Sequence, residues 1–255
     1  MDCRHGHALF VIPNFNGEVR VRPFDIFVLD PVTGRQRSVP SPYSHAECFS
    51  AAVFCAAQGC DHHDCQGGHF FVAVVSTDPF RSVTSGWLYS SETRIWSRLT
   101  PVEHHPNVKC ENHIAAPSVL VGDAIYFNVD HIIKCQLGTL QLSAFEKPTD
   151  EHGTLMAAED GGLGFAAAVD RTDLTLWSRV TEPGGAMGWT KIRVVDLKIL
   201  LPDPFSIREN KHECGIRSRL ELVSGLAEGT QIIFLSTCFG SYIVDLKSGR
   251  ATVSS

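Results

Sequence analysis

The densest group of potential ligand side chains in this sequence is GCDHHDCQGGH, residues 59 to 69. Cysteine thiolates and histidine imidazoles hold zinc in tetrahedral sites, and four of them at short spacing could in principle do so here. The four ligands would be Cys60, His62 or His63, Cys65 and His69. Short zinc clusters generally combine two separated ligand pairs, however, whereas these candidates crowd one stretch between the apolar segments AAVFCAAQ and HFFVAVVST. A polar hairpin loop fits better, and we predict that it holds no structural metal.

Other motifs that could do chemistry are weak. The segment EDGGLGF (159–165) is rich in glycine, but an apolar strand follows it instead of the helix that a dinucleotide site needs, so it predicts a β-turn. His104 and His105 precede a proline and predict solvated imidazoles in a loop. The sequence contains no G-x-S-x-G, H-E-x-x-H or Walker motif. We therefore predict no catalytic, cofactor-binding or metal-binding residues, and no enzyme.

Charge and hydropathy limit the partners. The net charge is −6, and the 22 lysines and arginines are scattered singly, which does not favour nucleic acid or an anionic membrane surface as a partner. No apolar run approaches the roughly 18 residues of a membrane span, and the N-terminal apolar stretch is too short for a signal peptide. The nine cysteines are an odd number, and four lie in or beside apolar segments: Cys48, Cys55, Cys135 and Cys238. We expect reduced thiols in a soluble cytoplasmic or nuclear protein.

Short strands must position whatever site exists. Apolar runs of about four to eight residues end repeatedly in Gly, Asp, Asn, Ser or Pro, which is typical of an all-β protein. Only residues 194–202, VVDLKILLP, predict a short helix or turn. Five strand–turn–strand patterns recur about 45 to 60 residues apart, a period typical of propeller blades. Their turn centres lie near Thr33, Thr93, Thr139, Gly185 and Ser248.

This repeat predicts one β-propeller domain over residues 1–255 with kelch-like four-stranded blades; a β-sandwich with coincidental spacing is the alternative. The tryptophans lie in or beside the repeating strands, where aromatic side chains normally pack between blades. A tryptophan that faced the loops at a propeller rim would instead anchor a partner peptide. The four are Trp87, Trp96, Trp177 and Trp189.

Seven segments in this order resemble the F-box-associated β-propeller family of plants, especially grasses. They are DCRHGHALF, LDPVTGRQRSVPSP, AAVFCAA, SGWLYSSETRIWS, PSVLVGDAIYF, AAEDGGLGFA and IIFLSTCFGSYIVDL, and the resemblance runs from about residue 2 to the end. In that family an F-box helical segment precedes the propeller, whereas MDCRHGHALF resembles a point inside the propeller region. On this resemblance the F-box is absent, a Skp-type adaptor is not an expected partner, and the propeller is expected to be incomplete at its N-terminus.

The resemblance implies a protein-interaction module that recognises target proteins for a ubiquitin ligase. The target protein is unknown, and the sequence implies no cofactor. The alternative is a propeller-type enzyme or small-ligand binder with a site at the central channel. An enzyme predicts convergent polar residues with perturbed pKa values, whereas a binder predicts a face rich in loops and aromatic side chains.

Overall fold

Alternation of apolar and polar residues is the local cause of the strands in this computed structural model. In strand Phe24–Leu29, Phe24, Ile26 and Val28 are buried while Asp25 between them is exposed, as expected where one face of a sheet packs on a core. The structure describes residues 2–4, 6–13, 24–42, 48–56, 68–78, 81–105, 117–151, 153–169, 173–182, 184–200, 221–225, 232–237 and 240–254.

The strands form five sheets, and within each sheet the strand order follows the chain. The first sheet contains β1 (Asp2–Arg4), β2 (His7–Pro13), β3 (Phe24–Leu29) and β4 (Gln36–Val39). The second contains β5 (Cys48–Cys55), β6 (Phe70–Asp78), β7 (Val83–Ser90), β8 (Ile95–Arg98) and β9 (Val102–Glu103), which also pairs with β7. The third contains β10 (Val119–Val121), β11 (Ala124–Asn128), β12 (Ile132–Gln136) and β13 (Gln141–Phe145).

The last two sheets follow the same plan. The fourth contains β14 (Gly153–Ala157), β15 (Leu163–Val169), β16 (Asp173–Thr181) and β17 (Met187–Asp196), and the fifth contains β18 (Glu221–Gly225), β19 (Ile232–Thr237), β20 (Gly240–Asp245) and β21 (Arg250–Ser254). The short helix predicted within residues 194–202 is present as α1 (Leu197–Leu200), directly after β17. In the ranges that the structure describes, no helix is long and apolar enough to cross a membrane.

Five successive meander sheets are the blades of a β-propeller, so the predictions of an all-β class and of propeller blades are confirmed. The prediction of uniform four-stranded, kelch-like blades is wrong. The second sheet has five strands, because the chain returns after β8 to pair β9 with β7. The five predicted turns are confirmed as hairpins, since each joins the third strand of its sheet to the fourth.

The chain divides into two compact units, residues 1–118 with 123–146 and residues 119–122 with 147–255. The core of the first unit lies between its first two sheets and includes Ile26, Val53 and Val72, all fully buried. The core of the second unit joins its fourth and fifth sheets through Leu174, Leu235 and similar side chains. The prediction of one domain over residues 1–255 stays a prediction.

Candidate functional site

One polar cluster in the first unit combines two imidazoles and a carboxylate. His104 follows β9 directly, and its backbone N–H donates to the Ser82 carbonyl (3.0 Å), which continues the pairing of β9 with β7. Asp130 and His131 occupy the tight turn between β11 and β12, where the Val129 N–H donates to the His131 carbonyl (3.2 Å). Regular backbone pairing therefore fixes both sides of the cluster.

The three side chains lie close together. One ligand atom from each of His104, Asp130 and His131 lies within 4.8 Å of the others. His131 Nδ1 is 3.4 Å from Asp130 Oδ2, and the two imidazole rings have centroids 4.3 Å apart. The side chains of Asp130 and His131 are only 2% and 5% exposed, whereas His104 is partly exposed. The cluster is a buried polar site with one member at the surface.

Two atoms of this cluster are buried without a hydrogen bond. Within the described part of the chain, neither Asp130 Oδ2 nor His131 Nδ1 has a hydrogen-bond partner. Buried polar atoms in native proteins are nearly always paired, because a buried polar atom without a partner keeps its full desolvation cost. An unpaired carboxylate oxygen that faces an unpaired imidazole nitrogen is therefore the feature of this site that needs an explanation.

Hydrogen bonds set the tautomer of His104. Its Nδ1 lies 3.2 Å from the His105 carbonyl, which can only accept, so Nδ1 carries the proton and donates. Nε2 therefore has the lone pair and lies 3.2 Å from the hydroxyl of Thr84, which in turn lies 2.7 Å from the hydroxyl of Thr77. Burial is the main cause that lowers the pKa of His104, and His131 lowers it further, while the His105 carbonyl and Asp130 act in the opposite direction.

A second buried cluster in the same unit is fully bonded. Arg4 Nη1 donates to Asp2 Oδ2 and to the Ser118 hydroxyl (both 2.9 Å), and its Nη2 donates to the Ser118 carbonyl (2.5 Å). The Val53 N–H donates to the same Asp2 oxygen (2.9 Å), which ties β1 to β5. Burial raises the pKa of Asp2, although Arg4 and the Val53 N–H lower it. This cluster is an internal cross-link between strands.

The first motif of the sequence falls mostly outside the described residues. Residues 59–67 of GCDHHDCQGGH, including Cys60, His62, His63 and Cys65, are not described. The flanking strands β5 and β6 pair antiparallel, and the Ala56 N–H donates to the carbonyl of His69 (3.0 Å). The prediction that this segment connects two strands of a hairpin is confirmed, and the prediction that it holds no metal stays a prediction.

Two further motif predictions have clear outcomes. The first four residues of EDGGLGF form a tight turn between β14 and β15, in which Gly161 has a φ of +79° and the Gly162 N–H donates to Asp160 Oδ1 (2.8 Å). The prediction of solvated imidazoles at 104–105 is correct for His105, which is exposed, and only in part for His104, which is partly exposed. Its ring packs on His131 because β9 brings the chain back against the second sheet.

The predicted packing of tryptophans between blades is confirmed for Trp96, whereas the described contacts of Trp177 and Trp189 lie within their own sheet. Trp96 packs on the core between the first two sheets, and its Nε1 donates to the Pro40 carbonyl (2.8 Å) after β4. Trp177 is buried beside the ring of Phe165, and Trp189 contacts the same ring. Aromatic side chains at the repeated positions therefore fill space within and between neighbouring sheets.

The prediction of reduced cysteines needs one correction. Cys3, Cys55 and Cys135 are reduced cysteines, and burial raises the pKa of Cys135 to about 11, which disfavours its thiolate form. Cys48, by contrast, is disulfide-bonded. Sequence reasoning took the apolar surroundings of Cys48 as evidence for a reduced thiol, but a buried position does not prevent pairing. Cys238 also lies outside the described residues.

Sequence reasoning missed the Asp130–His131 half of the polar cluster. The only signal was the dipeptide Asp-His between two apolar strands in YFNVDHIIKC, a pattern that also fits an ordinary polar turn. Its partner His104 lies 26 positions earlier in the chain. The pairing of β9 with β7 brings the two together, and the length of β9, two residues, is too short to recognise in the sequence.

Comparison with known proteins supports the fold and nothing finer. No protein-family model and no curated protein matches the chain. Among solved structures, TolB from Acinetobacter baumannii is 13% identical with a TM-score of 0.54, over 97% of this chain and 52% of that one. A protein from Lactobacillus plantarum is 14% identical with a TM-score of 0.51, over 98% of this chain and 67% of that one. The chain thus spans about half the length of TolB, and at these identities the similarity shows the fold alone.

Proposed function

We propose that this chain is a non-catalytic protein-interaction module that binds an extended segment of a target protein along strand β17. The observation that carries the proposal is the length and surface of this strand. β17 has ten residues, whereas the fourth strands of the other sheets have four or five. Among the described residues it pairs only with β16, so it forms an edge of its sheet.

The surface of β17 exposes three apolar side chains beside the charged Lys191, Arg193 and Asp196. Met187, Ile192 and Val194 are 52%, 49% and 51% exposed. The register shifts between Leu176 and Trp177 of β16, so that Ile192 is the extra residue of a bulge. Natural edge strands are usually short or charged, because a long apolar edge pairs with other chains. A peptide that adds to such an edge gains main-chain hydrogen bonds, and the exposed side chains select its sequence.

The family resemblance gives this activity a biological setting. F-box-associated propellers recognise target proteins for ubiquitylation, so the occupant of β17 would be a segment of such a target. The charge of −6 and the scattered basic residues fit a protein partner better than a nucleic acid. Binding would need no chemical step, only a rigid scaffold that holds the strand in place.

A displayed peptide library tests this proposal without a known target. We expect selection on the immobilised chain to enrich peptides with alternating apolar residues, and we expect the double variant Met187→Lys/Val194→Lys to bind them at least tenfold more weakly. Val253→Lys is the matched control, because Val253 is an exposed apolar residue on another fourth strand, β21. Peptides that bind the double variant as well as the wild type, or a selection without enrichment, would contradict the proposal.

A second candidate is a small-ligand or metal-binding propeller. The observation that favours it is the convergence of His104, Asp130 and His131 together with the lowered pKa of His104. Clusters of buried titratable groups with perturbed pKa values are enriched at binding sites. Binding of a metal ion or a small ligand by this cluster would support this second candidate function, and the absence of such binding would contradict it.

A further inference from the structure

We propose that His104, Asp130 and His131 form a binding site for a divalent transition metal of the zinc class. The proposal deepens the second candidate function and is independent of peptide binding by β17. Two imidazoles and one carboxylate are a ligand set that suits zinc and its neighbours, whereas calcium and magnesium prefer oxygen ligands alone. Three protein ligands leave at least one coordination position for water.

The spacing of the buried pair fits a shared metal. Two ligand atoms that each lie about 2.1 Å from a tetrahedral zinc are separated by roughly 3.4 Å. Asp130 Oδ2 and His131 Nδ1 are 3.4 Å apart, and both atoms lack a hydrogen-bond partner among the described residues. A cation between them would satisfy both atoms at once, which explains why each is buried without a bond.

The third ligand is His104, which is prepared for coordination by its neighbours. The donation of its Nδ1–H to the His105 carbonyl leaves the lone pair on Nε2; in metal sites, histidine ligands are oriented in the same way by a hydrogen bond from the ring nitrogen that does not bind the metal. The Thr84 hydroxyl now at Nε2 can turn to the Thr77 hydroxyl when a metal takes its place. A ligand atom of the partly exposed His104 lies within 4.8 Å of those of Asp130 and His131, and its exposure gives the metal a path from solvent.

The charges of the cluster also favour a cation. A buried carboxylate is costly unless it is paired, and no hydrogen bond within the described residues reaches Asp130 Oδ2. Neutral imidazoles are the form that binds a metal, and a divalent cation compensates the carboxylate.

Metal titration of the full-length, tag-free chain tests the site. After treatment with a chelator, we expect one equivalent of Zn²⁺ to bind at this site and to raise the thermal midpoint by about 5 to 10 °C at a hundredfold excess over the dissociation constant. Asp130→Asn and His104→Asn should each weaken binding at least tenfold. His105→Asn is the matched control, because the exposed side chain of His105 is not a ligand and its carbonyl remains.

Co²⁺ separates this site from the cysteine-rich segment at 59–69. We expect bound Co²⁺ to show d–d bands without the intense charge-transfer absorption of a thiolate ligand, because His104, Asp130 and His131 offer only nitrogen and oxygen. Circular dichroism of each variant establishes that it is folded. Because the two substitutions are at separate positions, one variant still tests the site if the other fails to fold. No metal uptake, uptake that survives Asp130→Asn and His104→Asn, or a thiolate band alone would overturn the proposal.

Discussion

The two buried polar clusters of the first unit contrast in how they satisfy a carboxylate. Asp2 is held by Arg4 and by the Val53 N–H, and the bond from Val53 joins β1 to β5. Asp130 instead points an oxygen at a histidine nitrogen 3.4 Å away, and neither atom has a hydrogen bond within the described residues. Burial alone does not distinguish a structural cross-link from a binding site, whereas the presence or absence of partners does.

The largest effect should come from breaking the bonded cluster. Arg4→Met removes the guanidinium that pairs with the buried Asp2 and donates to the two Ser118 oxygens, and we expect a loss of about 3 to 5 kcal/mol in the free energy of unfolding. Arg81→Met is the matched control, since the Arg81–Asp78 ion pair (3.6 Å) is exposed and should contribute less than about 1 kcal/mol. Denaturant unfolding measures the free energy of unfolding of both variants. Equal losses would mean that the buried cluster around Arg4 contributes no more than an exposed ion pair.

Acid should reduce the effect of Arg4→Met. Arg4 lowers the pKa of Asp2 against the dominant effect of burial, which raises it, so removal of Arg4 raises that pKa further. A folded-state pKa above the unfolded value means that the folded chain gains stability as pH falls through it, and the variant gains more than the wild type. The stability difference between the two proteins should therefore shrink below neutral pH. A difference that is constant or grows with acid would show that Asp2 and Arg4 do not act as a pair.

In the absence of metal, removing the carboxylate of the His104, Asp130 and His131 cluster should not destabilise the fold as Arg4→Met does. Asp130→Asn removes a buried charge that has no ion pair with Lys or Arg among the described residues, so we expect the metal-free protein to change by about 1 kcal/mol or less, with a gain as the favoured direction. Denaturant unfolding in chelator checks this. A loss as large as that of Arg4→Met would mean that Asp130 is a structural group and that the contrast between the clusters is wrong.

The sequence predicted the repeated parts of the molecule better than the unique ones. All five hairpin turns were predictable because each repeats at the same place in its sheet, and two of them carry the turn formers Asp30 with Gly34 and Asp245 with Gly249. The glycines have φ of +69° and +64°, the left-handed region that glycine tolerates best. In the other turns Arg94 and Leu140 take positive φ as well, so only the strand spacing indicated those hairpins.

The candidate site could not be predicted because it depends on a contact between distant segments. Sequence periodicity identifies a strand of five or more residues, but β9 has two, and it alone places His104 beside the β11–β12 turn. Residues 59–69 contain the most potential ligand side chains, so composition made them the first candidate for a metal site. Composition does not show which side chains lie close together in the fold. Local sequence patterns therefore predict the strands and hairpins, whereas the candidate site is formed by tertiary pairing that these patterns do not show.

The smallest expected effect concerns Asp245, a carboxylate that is held by hydrogen bonds at the surface and not in the core. Asp245 accepts from the Ser248 hydroxyl (2.7 Å) and from the Ser248 and Lys247 N–H groups, and these bonds, led by the hydroxyl, lower its pKa. Because the folded pKa lies below the unfolded one, the stabilisation is complete above the unfolded pKa and is lost as pH falls through the folded value, in the range below about pH 4.

Ser248→Ala isolates that bond. We expect the pKa of Asp245 to rise toward its ordinary value, as measured by an NMR titration of the side-chain carboxyl carbon, while Asp30 keeps its lowered pKa as an internal control because Thr33 supplies its bonds. Asp245 is exposed, so water replaces the lost donor and the effect on unfolding should be small compared with that of Arg4→Met. If Ser248→Ala left the pKa of Asp245 unchanged, hydrogen-bond pairing would not be what separates one carboxylate from another in this protein, and the distinction between Asp2 and Asp130 would lose its physical basis.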